Sequence, residues 1–115
     1  MNAQQITALL RGHAYRTATE TQLQADIGKV LAGANIDFIA EHRLDSCNRI
    51  DFMCGTVGIE AKTRHPKRQT FKQLQRYAGF DEVTDLILIT GTFMGLPEYI
   101  NGKPVYMVSL GRSAL

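Results

Sequence analysis

Residues 49–63 read RIDFMCGTVGIEAKT, and the fold turns on how this apolar ribbon accommodates Arg49, Asp51, Glu60 and Lys62. Gly55-Thr56 suits the two-residue loop of a hairpin, because glycine at the first central position fits a type II′ turn. That turn pairs Cys54 with Val57, Phe52 with Ile59, and Asp51 with Glu60. Alternation then predicts one face made of Ile50, Phe52, Cys54, Val57, Ile59 and Ala61, and an opposite face carrying Arg49, Asp51, Met53, Gly58, Glu60 and Lys62. Like charges directly opposed across two strands destabilise a sheet by up to roughly 1 kcal/mol. A bound cation would turn that penalty into attraction. Mg²⁺ suits such a pair, since it is held by one or two carboxylates while phosphate and water complete its shell. The plainer alternative is a half-solvated hairpin with ordinary surface charges.

Working outward, residues 2–11 predict a short helix with Ile6, Leu9 and Leu10 on one side, ending near Gly12. A longer helix is expected over about 19–33, with Leu23, Ile27, Val30 and Leu31 at helical spacing. Thr17 or Thr19 can cap it; with Thr17 as the cap, Glu20 stands at N3 and closes a capping box. IDFIAEHRL (36–44) predicts a strand, and DSCN (45–48) a turn. After Pro66, a helix over 67–79 buries Phe71, Leu74 and Ala78. DLILIT (85–90) predicts a strand covered on both faces. Asn101-Gly102 marks a turn before a last strand at 105–110. The order ααβββαβ(β) implies an α/β (α+β) domain with a mixed sheet flanked by helices. The helix between the Glu60 strand and strand 85–90 makes those two strands parallel neighbours.

A chain of 115 residues with 44% hydrophobic and 21% charged residues fits one globular domain spanning 1–115. No apolar run reaches membrane-span length, and the polar start lacks a signal-peptide core, so a cytoplasmic protein with no membrane association is expected. Cys47 and Cys54 are too few for a disulfide framework, and His13, His42 and His65 lack ligand spacing, which argues against zinc. Net charge is only +2, yet Lys62, Arg64, Lys67, Arg68, Lys72 and Arg76 crowd residues 61–80 without one acid. Such a block attracts polyanions, phosphate backbones above all. Arg68, Lys72 and Arg76 recur at i+4 and form one stripe on the helix.

An acid on one strand, acid-x-lysine on the next, then a helix and another strand resembles the PD-(D/E)xK nuclease superfamily, over residues 19–90. Asp51 matches its first aspartate, Glu60 and Lys62 its (D/E)xK, and Ala61 the intervening residue, while Ile50 stands where a proline is usual. Glu20 falls where many members carry a further metal-shell glutamate, and Gln73 and Tyr77 resemble the QxxxY element of the RecB-like branch. The length is closest to small resolvase-like or phage replication and repair nucleases. The resemblance implies a restriction-endonuclease-like core and Mg²⁺-dependent hydrolysis of DNA phosphodiester bonds, with Mn²⁺ as substitute. It further implies Asp51, Glu60, Glu20 and the carbonyl of Ala61 at the metal, and Lys62 and Gln73 in the catalytic group. Arg64, Lys67, Arg68, Lys72, Arg76 and Tyr77 are then the expected DNA contacts. A catalytically inactive DNA-binding module and a RecB-like exonuclease are the alternatives. A homodimer is expected if two strands are cut, with segment 93–110, carrying Phe93, Met94, Leu96, Tyr99 and Ile100, as its candidate interface.

Overall fold

The structure, a computed structural model, describes residues 1–110. Its elements are α1 (Ala3–Arg11), α2 (Glu20–Gly33), β1 (Ile39–Arg43), β2 (Arg49–Cys54), β3 (Val57–Lys62), α3 (Lys67–Ala78), β4 (Asp85–Thr90), β5 (Tyr99–Ile100) and β6 (Lys103–Ser109). The strands form one mixed sheet in the order β1-β2-β3-β4-β6-β5. β1, β2 and β3 are antiparallel neighbours, while β3, β4 and β6 run parallel, with α3 bridging β3 to β4. An α+β domain with helices on both sides of its sheet is therefore what the sequence builds.

The helices begin where local chemistry satisfies their free amides. Asn2 and Gln5 form a reciprocal capping box on α1, and Thr19 accepts the amide of Gln22 at the start of α2. With Thr19 as the cap, Glu20 is the first helical residue, so the capping box from Thr17 does not form and the Glu20 carboxylate is available elsewhere. Leu10, Leu23, Ile27 and Leu31 pack α1 and α2 onto Phe52, Ile59, Ala61, Ile87 and Ile89. On the opposite face, Leu74, Tyr77 and Ala78 of α3 pack onto Ile50, Met53, Leu86 and Leu88. β4 thus supplies alternate residues to both layers, as its unbroken apolar run requires.

The hairpin forms in the expected register, with Phe52 opposite Ile59 and Cys54 opposite Val57. Gly55 carries φ +62° while Thr56 keeps a negative φ, the combination of a type II′ turn. Two expectations about its faces are corrected. The charged face is not half-solvated, because α3 covers it and leaves Glu60 only 2% exposed. Ile50 does not join Phe52 but lies in the α3 layer beside Met53. Strict alternation breaks at Asp51, where the paired register of β2 with β3 has stopped at Phe52–Ile59 and the residue facing Asp51 across β1, Glu41, adopts φ +52°. Ile50 then fills the space over Gly58, where a Cβ would come within 2.5 Å of its Cδ1.

Beyond β4 the chain returns through residues 91–102 to β6. The Asn101-Gly102 turn, with φ of +52° and +76°, folds β5 back on β6 as expected. Within the segment 93–110, the five apolar residues Phe93, Met94, Leu96, Tyr99 and Ile100 do not form one continuous exposed surface. Met94 and Ile100 are buried and Leu96 packs against the α3 layer, because they close the edge of that core; only Phe93 and Tyr99 stay exposed.

Candidate active site

β2 and β3 part just beyond Phe52–Ile59, and side chains take over the hydrogen bonding there. The Asp51 amide donates to Glu60 Oε1 at 3.2 Å, and the Ala61 amide donates to Asp51 Oδ2 at 2.8 Å. Each acid thus binds the other strand's backbone, which fixes both carboxyl groups within the same narrow gap. Because a residue's N–H and C=O lie on the same side of a strand, the Ala61 carbonyl faces this gap as well. Lys62, two residues past Glu60, places its ammonium 3.2 Å from Glu60 Oε2 on a side chain that is mostly buried. The site lies at the carboxyl ends of the parallel strands β3 and β4, the end where open sheets of this kind receive ligands.

Electrostatics distinguish this cluster from a surface ion pair. Burial, and secondarily the charge of Asp51, raise the Glu60 carboxyl from 4.5 to about 8, with Lys62 offsetting part of the cost. Burial also raises Asp51, against the Ala61 amide and Lys62, which favour its charged form. Glu20 stands close enough for its charge to push Asp51 up further. Its carboxylate nevertheless engages His65 Nε2 rather than the Asp51–Glu60 gap. Perturbed acids gathered at one strand end occur more often at functional sites than elsewhere.

Of the residues expected here, the structure gathers Asp51, Glu60, Ala61 and Lys62, with Glu20 at the margin. Gln73 lies beside them, lining with Lys62, His65, Gln69, Thr70 and Arg76 a cleft of about 310 Å³. Its amide donates to the Tyr77 hydroxyl at 2.7 Å, and that hydroxyl donates to the Arg49 carbonyl at 2.8 Å. Tyr77 is 1% exposed, so the expectation that it contacts DNA is corrected: its ring packs in the core, and its hydroxyl ties α3 to β2 two residues before Asp51. Arg64, Lys67, Arg68, Lys72 and Arg76 are all exposed, and Arg76 also donates to Asn48 at 3.1 Å. His65 was not expected at the site. No sequence pattern links it to Glu20, which α2 brings up from 45 residues away.

The loop after β4 is held against the end of β3. The Gly91 amide donates to the Lys62 carbonyl at 3.1 Å, and a Cβ on Gly91 would stand 2.5 Å from the Thr63 carbonyl oxygen. Backbone cannot yield to that contact as a side-chain tip can. Gly91→Ala is therefore expected to destabilise the fold by about 1–3 kcal/mol, read as a lower midpoint in urea.

Among the described residues, no three His, Cys, Asp or Glu side chains are arranged to hold a metal ion by themselves. The donor set that the gap offers is two carboxylates and a carbonyl. It fits Mg²⁺, a hard ion that keeps several waters and needs only one or two protein carboxylates. A larger cleft of about 580 Å³ lies at the hairpin end of the sheet, around Asn2, Cys54 and Val57, away from this chemistry. Compared with protein-family models, curated proteins and solved structures, the chain matches none.

Proposed function

We propose that this protein is a Mg²⁺-dependent DNA endonuclease of the PD-(D/E)xK type, hydrolysing phosphodiester bonds, with Mn²⁺ able to substitute. The observation that carries the reading is the convergence of Asp51, Glu60 and Lys62 at the end of β3, where burial and the charge of Asp51 push the Glu60 carboxyl up to about 8. A pair of buried acids is costly to keep charged, and a divalent ion compensates that cost directly.

In this reading Asp51, Glu60 and the Ala61 carbonyl hold the ion. Bound there, the ion would polarise the scissile phosphate and lower the pKa of a nearby water. Lys62 orients or deprotonates the attacking water and offsets charge that grows on the phosphate. Tyr77 and Gln73 act as positioning residues, since they fix the strand that bears Asp51. The exposed cations of α3 contact the flanking phosphates.

Incubation with linear, nicked, flapped and four-way DNA in Mg²⁺ or Mn²⁺, beside Asp51→Ala, tests the proposal. Cleavage that Asp51→Ala removes supports it; DNA binding without cleavage of any substrate would leave only a binding module. The phosphate contacts carry their own expectation. Affinity for DNA should fall steeply with salt, and the combined replacement of Arg68, Lys72 and Arg76 by alanine should flatten the slope of log K against log salt by about two to three. Identical slopes for the parent and the triple variant, in fluorescence-anisotropy titrations, would remove the stripe from the interface.

A further inference from the structure

Phe93 is 78% exposed, more than any other large hydrophobic residue described. A core or structural role accounts for Met94 and Leu96 beside it, but not for this ring. Its position is fixed relative to the site by three contacts. Gly91 bonds the Lys62 carbonyl, the Thr92 hydroxyl donates to the His65 carbonyl at 3.4 Å, and Lys67 Nζ, on the first residue of α3, lies 5.7 Å from the Phe93 ring centre. An aromatic face and a cation therefore stand together on segments tied by hydrogen bonds to Lys62 and His65.

We propose that Phe93, with Lys67 beside it, forms a stacking platform for an unpaired base, so that the DNA this protein engages is single-stranded or splayed next to the site. Every base offers a π-face to an aromatic ring, and a neighbouring cation holds the adjoining phosphate; together these are the usual means of binding single strands. A continuous duplex keeps its bases stacked on one another and gives Phe93 nothing to receive. The proposal deepens the nuclease reading by naming its substrate class, yet stacking needs neither the ion nor cleavage.

The chain contains no tryptophan, so Phe93→Trp introduces a single reporter. In EDTA, a short oligodeoxythymidylate should quench its fluorescence, while a blunt duplex hairpin should not. Phe93→Ala should weaken binding of the oligonucleotide about five- to a hundredfold and change duplex binding less than twofold. Unquenched fluorescence on addition of the single strand, or equal losses for single strand and duplex, would overturn the platform. So would self-association in sedimentation that Phe93→Ala abolishes while single-strand affinity stays unchanged, since the ring would then serve a second copy of the chain. Quenching without cleavage of any DNA in Mg²⁺ would retain the platform and reject the nuclease reading, which keeps the two failures apart.

Discussion

If the proposed nuclease reading holds, Lys62→Arg is expected to lower single-turnover cleavage of DNA by about a hundredfold or more, although it preserves the positive charge. Two features of the site lead to that result. The Lys62 side chain is only 13% exposed and its ammonium lies 3.2 Å from Glu60 Oε2, so the bulkier guanidinium of arginine would have to fit a largely buried position. Arginine also keeps its proton at any ordinary pH and cannot take part in proton transfer. Salt-dependent DNA binding should survive, because the exposed cations of α3 are untouched. Cleavage within a few fold of the parent would take Lys62 out of the mechanism while leaving Asp51 and Glu60 to be judged separately.

Without divalent ions, thermal stability is expected to fall as pH rises from about 5 to about 8, and Glu60→Gln should flatten that fall. The sign follows from proton linkage. Burial and Asp51 lift the folded-state Glu60 carboxyl from 4.5 to about 8, so across that interval the native protein holds a proton that the unfolded chain has released. Stability therefore drops as pH climbs through the interval, and the full cost of the buried charge is present above it. Asp51, raised in the same direction, adds to the trend. The loss is on the order of a few kcal/mol, or roughly 10 °C in melting temperature. Mg²⁺ should restore stability, and more so at higher pH, because it replaces the proton at the acid pair. A melting temperature that rises or stays level over this range in EDTA would contradict the burial assigned to Glu60.

The parts of this fold that local chemistry controls are legible in the sequence. The Gly55-Thr56 turn sets the hairpin register, the 3.6-residue periodicities set α2 and α3, and the unbroken run of residues 85–90 marks the strand that both layers cover. Asp51, Glu60 and Lys62 could be grouped because two strands and a two-residue turn bring them together whatever the rest of the chain does. Features that depend on distant partners were not legible. The break in alternation at Asp51, which sends Ile50 to the α3 side, coincides with the positive φ of Glu41 on the neighbouring strand and with the space above Gly58 that Ile50 fills. Tyr77 reads as one polar member of a helix face, and only the packing of α3 reveals that its hydroxyl turns inward to the Arg49 carbonyl. Likewise, Glu20 reads as either a capping or a metal-shell residue until α2 docks and sets it against His65.

The central physical claim is that Asp51 and Glu60 form one site for a divalent cation. Calorimetric titration of Mn²⁺ into the parent and into Asp51→Asn, near neutral pH and in two buffers of different ionisation enthalpy, tests it most directly. The parent should bind a single ion and release protons to the buffer as Glu60 gives up its own, while Asp51→Asn should bind at least about tenfold more weakly. Equal affinity in the two proteins, or no binding to the parent, would contradict the account.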